Sequence, residues 1–145
     1  MNFLVVTAVG VVGGILIFIV RERRRRRAVL DAVQTRGGMS REDFVRCFSG
    51  RVSEQVAAAV FDYFSDETQG HGVDPTSDLL GVYHFDGDLL EECLDALQSA
   101  LGISNADYRT ARGRQADGLQ TVEDLTVFVS HAWEAARSQP HRSAP

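Results

Sequence analysis

His84, Asp86 and Asp88 stand within five residues of one another, in the stretch "HFDGDLL". An imidazole and two carboxylates at that density could hold a cation or relay a proton. Hard cations favour clustered carboxylate oxygens. The EF-hand order, however, needs oxygen ligands at alternating positions, then a glycine, then a distal glutamate, and this segment lacks it. His71 and His131 have no partner at a ligand spacing, so no metal ligand set is assigned. Cys47 and Cys93 each fall in an apolar helical pattern, which predicts two reduced, buried thiols. Ser99 and His131 belong to no nucleophile motif, and no glycine-rich phosphate loop follows a strand. Neither a cofactor site nor an enzyme is expected.

A longer pattern begins at the same place. Asp86, Asp88, Glu91, Glu92 and Asp95 line one side of an amphipathic stretch whose other side carries Leu90, Cys93, Leu94, Leu97 and Leu101. Gln98 is placed with the acids by this periodicity. Carboxylates in the first turn suit the positive end of a helix dipole. Such a row is either a solvated surface or a face that receives a basic protein, and the second reading is the functional expectation.

The elements that must position this row are helical. Ser40 with Asp43 three residues on marks a helix start, followed by Phe44, Cys47 and Phe48 on one face and Gly50 at the end. Ser53 is placed as the cap of the next helix, Val52 to Glu67, with Val56, Val60, Phe61 and Phe64 as its apolar stripe. "TQGHGVDPTSD", residues 68–78, has the composition of a loop. The acidic helix starts near Asp88 and stops at Gly102. A short helix around Ala106 to Arg112 is allowed by the pattern. Thr121 with Asp124 opens a last helix, whose apolar face holds Val122, Leu125, Phe128, Val129, Ala132, Trp133 and Ala136. No useful strand alternation occurs.

The order of these segments resembles the acyl carrier protein family over about Val52 to Ala136. Asp86-Gly87-Asp88 stands where the carrier motif Asp-Ser-Leu would be. "LLEECLDALQSALGI" is similar to the second carrier helix, and "TVEDLTVFVSHAW" to the Thr-Val-x-Asp-Leu entry of the last one. The resemblance implies a small four-helix bundle and an acidic second helix that docks on basic patches of partner proteins. It does not imply the carrier's covalent chemistry. Gly87 replaces the serine that would take phosphopantetheine, and "GVYHFDGD" contains no serine. Ser77 falls too early, and Tyr83 offers the wrong hydroxyl. A carrier modified at another residue is the alternative.

The N-terminal part differs from the rest. Residues 1–20 carry no charge, and residues 21–27 read "RERRRRR". Beyond them, nine arginines face nineteen Asp and Glu, a formal charge of −10. Twenty uncharged, mostly apolar residues match the hydrocarbon thickness of a bilayer. Charge after the run, with no small-residue cleavage site, favours a retained anchor over a signal peptide. The expectation is therefore an all-α protein: a transmembrane helix at 1–20, an arginine collar and juxtamembrane helix at 21–39, an acyl-carrier-like domain at 40–137 and a disordered tail at 138–145. Arg21, Arg23, Arg24, Arg25, Arg26 and Arg27 would meet anionic headgroups rather than nucleic acid. They would keep the domain in the cytoplasm and the N-terminus outside, in a single-pass cell-membrane topology. Gly10 and Gly14 form a small-xxx-small pair that could join two such helices, which makes a self-assembling membrane protein a further alternative.

Overall fold

The computed structural model describes residues 2–104, 108 and 118–138, with side chains from residue 17 onward. Five helices are present among the described residues. They are α1 (Asn2–Arg36), α2 (Arg41–Cys47), α3 (Glu54–Glu67), α4 (Gly87–Leu101) and α5 (Val122–Ser138). The short helix expected at 106–112 and all of the tail but Ser138 lie outside the described residues, save that Tyr108 has helical backbone.

The helix ends follow local chemistry. Ser40 accepts from the Asp43 amide at 3.2 Å and caps α2. Asp86 accepts from the Leu89 amide at 3.1 Å and caps α4, so this helix begins at Gly87, one residue earlier than the periodicity placed it. Gly102, at φ +66°, closes α4 in the left-handed conformation that glycine adopts without steric cost. At α5, Thr121 and Asp124 bond reciprocally: the Asp124 amide donates to Thr121 Oγ1 at 3.1 Å, and the Thr121 amide donates to Asp124 Oδ2 at 3.0 Å. Ser53 precedes α3 but makes no side-chain cap bond.

α3 and α4 pack together, and both contact α5; α2 covers the other side of α3. The apolar stripes point inward. Val56, Val60, Phe61 and Phe64 of α3, Cys93, Leu94, Leu97 and Leu101 of α4, and Val122, Leu125, Phe128, Val129 and Ala132 of α5 are all buried. Leu90 is only half-buried. Trp133 is also partly exposed, with the Arg137 guanidinium 4.5 Å from its ring centroid. Gln98 is buried rather than on the acidic side, because its Nε2 donates to the Ile103 carbonyl at 3.2 Å and ties down the turn after α4.

The segment between α3 and α4 is part of the core. Val73, Leu79, Val82, Tyr83 and Phe85 are buried in it. Phe64 packs edge-on to Tyr83, with centroids 4.6 Å apart, and stacks on Phe85 at 5.7 Å. The Pro75 and Ser77 carbonyls accept from the Glu123 and Val122 amides, at 2.8 and 3.1 Å, and so satisfy donors of the first turn of α5. Two isolated antiparallel bridges, Met39 with Val73 and Asp78 with Thr121, pin this segment further. At the first, the backbones of Gly38 and Gly72 touch. A Cβ on Gly72 would sit 2.8 Å from the Gly38 carbonyl carbon, and Gly72 itself has φ +88°.

α1 corrects the reading of the N-terminus. It is one helix of 35 residues, about 52 Å long at 1.5 Å per residue. It runs without a break through the arginines and packs Val29 and Val33 into the core. Among the described residues, no helix is long and apolar enough to cross a membrane. Length is not what fails. The described side chains pass from four apolar residues, Ile17 to Val20, directly into the charges that begin at Arg21. The transmembrane helix expected at 1–20 is thus overturned. The single-pass localisation, with N-terminus outside and domain in the cytoplasm, falls with it.

Candidate functional site

The start of α4 and the arginine segment of α1 face each other across a cleft of about 750 Å³. Phe85, Leu89 and Tyr63 supply its apolar and aromatic surface. Asp86, Asp88 and Glu92 form one wall, and Arg21, Arg24 and Arg25 the other.

Arg25 fixes the geometry. It lies one turn before Val29 and two before Val33, so residues 25, 29 and 33 form the inward face of α1. Its side chain is 11% exposed. Nη2 donates to Glu22 Oε1 and to Glu67 Oε2, each at 2.9 Å, and Nε donates to Glu22 Oε2 at 3.1 Å. Nη1 donates to the Tyr83 carbonyl at 3.2 Å. One planar guanidinium thereby joins α1, the end of α3 and the segment leading into α4. Hydrogen bonds to Arg25 hold the Glu22 carboxyl far below its ordinary range, at about 2, with Arg26 adding to the effect and burial opposing it. The bonds to Glu22 likewise raise Arg25 above the usual arginine value.

The five acids predicted as a docking row are all exposed, as their spacing requires. Asp86 is the cap of α4, and its Oδ2 is 3.7 Å from Arg21 Nη2. Asp88, Glu91 and Glu92 occupy the first two turns, and Asp95 follows one turn on. Gly87 is the first residue of α4, and a Cβ there would meet nothing within 4 Å. The six arginines divide. Arg21, Arg25 and Arg26 pair with carboxylates of the same chain, whereas Arg23, Arg24 and Arg27 are exposed and have no ion pair among the described residues. Sequence reasoning treated the run as uniform. The fourfold spacing from Arg25 to Val29 and Val33 was the signal that singles Arg25 out. Gly10 and Gly14 lie on α1 ahead of residue 17, so their surroundings lie outside the described residues.

Other reactive groups are not gathered into a centre. Among the described residues, no group of three or more His, Cys, Asp or Glu is arranged to hold a metal ion. His84 is exposed at φ +54° and lines the cleft beside Asp86 and Asp88 without forming such a group. Cys93 is buried next to Tyr63. Burial pushes its thiol up to about 12, which removes it as a nucleophile near neutral pH. Cys47 is exposed, against the expectation of a buried thiol, and its Sγ lies 3.6 Å from Met39 Sδ. The Tyr83 hydroxyl is buried beside Ser77 without a hydrogen bond of good geometry among the described residues, and burial pushes its pKa well above the usual phenol range.

No family model matches the chain, and no curated protein or solved structure matches it. The site is therefore read from its own geometry.

Proposed function

We propose that this chain is a non-enzymatic, acyl-carrier-like interaction module that presents the acidic start of α4 to a basic protein partner. The observation that supports this most is the placement of Asp86, Asp88, Glu91, Glu92 and Asp95. All five are exposed, Asp86 at the cap and the other four on the first three turns of α4, beside a cleft with apolar surface from Phe85 and Leu89. Apolar surface beside a row of carboxylates combines burial with steering of a basic partner toward that wall of the cleft. Gly87, the first residue of α4, offers no hydroxyl where the carrier resemblance would put a serine, so on this reading the module acts through contact rather than through a covalent arm.

The test is a comparison of the native chain with an Asp88→Arg/Glu92→Arg variant as bait in extracts of the source cells. Bound proteins are identified by mass spectrometry, and helix content is checked by circular dichroism. A basic protein retained by the native chain and lost from the variant, at unchanged helix content, supports the reading. Equal retention by both removes α4 as the docking face.

A further inference from the structure

The acidic row of α4 does not face open solvent along its whole length, because its first member already touches a cation of the same chain. Arg21 Nη2 is 3.7 Å from Asp86 Oδ2, with the two side chains 82% and 52% exposed. A pair so exposed contributes little to stability. Arg21 is nevertheless delivered to Asp86 by a helix that is held elsewhere. Arg25, one turn further on, is clamped by Glu22, Glu67 and the Tyr83 carbonyl, and Val29 and Val33 are buried behind it. The contact is thus intramolecular, and tethering gives Arg21 a high effective concentration at Asp86 although the pair itself is weak.

We infer that the arginine segment of α1 is a built-in competitor for the acidic end of α4, and that a basic partner binds there by displacing Arg21. This rests on the proposed reading of α4 as the docking face. The occupant that fits is an arginine-rich protein segment. Its guanidinium groups would take the place Arg21 holds at Asp86. They would also reach Asp88 and Glu92, neither of which has an ion-pair partner among the described residues. The apolar part of the segment would enter the cleft over Phe85 and Leu89. Arg25 stays in place throughout, because it is buried and bonded on three sides. Only the exposed turn of α1 that carries Arg21 gives way.

The experiment uses the full chain and a fluorescein-labelled hexa-arginine peptide, with binding followed by anisotropy at low ionic strength. Four proteins are compared: native, Arg21→Ala, Arg23→Ala and Asp88→Asn/Glu92→Gln. Arg23 is exposed and has no ion pair among the described residues, so its variant carries the same charge change as Arg21→Ala without touching Asp86. The expected result is that Arg21→Ala binds the peptide about two- to fivefold tighter than Arg23→Ala, the range that an exposed ion pair commands. The Asp88→Asn/Glu92→Gln protein should bind it much more weakly than native. Equal affinity of the two arginine variants, with binding still lost in the carboxylate variant, overturns the competition and leaves the docking face standing. Unchanged binding in the carboxylate variant overturns both.

Discussion

The guanidinium of Arg25 lies 2.9 Å from the carboxylate of Glu67, a residue 42 positions away, and that bond fastens α1 to the end of α3. It joins two side chains that are 11% and 17% exposed, so it is made largely out of water. Pairs of this kind are costly to break one-sidedly, since the remaining charge is left without a partner.

Arg25→Ala should therefore destabilise the protein by about 2–4 kcal/mol. It strips Glu22, Glu67 and the Tyr83 carbonyl of a donor at once. Arg23→Ala, at an exposed position in the same run, should stay within about 0.5 kcal/mol of native. Urea unfolding of the two variants gives the comparison. Equal midpoints would mean that Arg25 does not hold α1.

Glu22 makes stability depend on acidity in a defined window. Its folded value of about 2 lies below the 4.5 of an unperturbed glutamate, so the unfolded chain takes up the proton first as pH falls. The contribution is complete above about 4.5 and is lost as pH drops through about 2. Glu22→Gln should remove that part of the slope. Unfolding midpoints measured across this range should converge for the variant and the native protein at the acid end and separate above it.

The two thiols should differ sharply in alkylation. Cys47 is exposed, whereas Cys93 is buried and its thiol is pushed up to about 12. Iodoacetamide at pH 8 should add one group to the native protein, at Cys47, and two groups after unfolding in urea. Peptide mass mapping assigns the site. Fast labelling of Cys93 in the native protein would contradict the packing of α4 on α3.

Gly87→Ser should fold with a stability within about 0.5 kcal/mol of native, since the added atoms enter open space. It also supplies a hydroxyl at the position where the carrier motif has one. Incubation with coenzyme A and a phosphopantetheinyl transferase should then add the phosphopantetheine mass to the variant and nothing to the native chain. An unmodified variant would limit the carrier likeness to a pattern of helices.

Helix boundaries were legible because they are written locally. Ser40, Gly102 and the Thr121–Asp124 pair act within four residues of where they stand, whereas the cap made by Asp86 was missed. The apolar stripes of α3, α4 and α5 were legible for the same reason, being set by a fixed period. Residues 68–86 were not. Their composition is that of turns, and the buried Val73, Leu79, Val82, Tyr83 and Phe85 follow neither a helical nor a strand period. Gln98 reads as polar surface until the chain after α4 folds back and offers it the Ile103 carbonyl. The arginines looked alike because charge is the same at every position. What separates Arg25 from Arg23 is the direction each takes from α1, and that depends on where α3 ends. The apolar run at 1–20 suggested a segment apart, whereas one helix continues from it through the arginines into the core.

Gly38 and Gly72 meet backbone to backbone, with no side chain between them. At that point the joint between α1 and the loop after α3 is a contact of main chain on main chain. Exposed side chains beside it, such as His71, do not enter that contact and can change. A methyl group at either glycine has nowhere to go. The contact is at once indifferent to changes in those exposed side chains and brittle at two positions, so a chain diverging under selection for this fold would be free to rewrite its surface there while keeping that one pair.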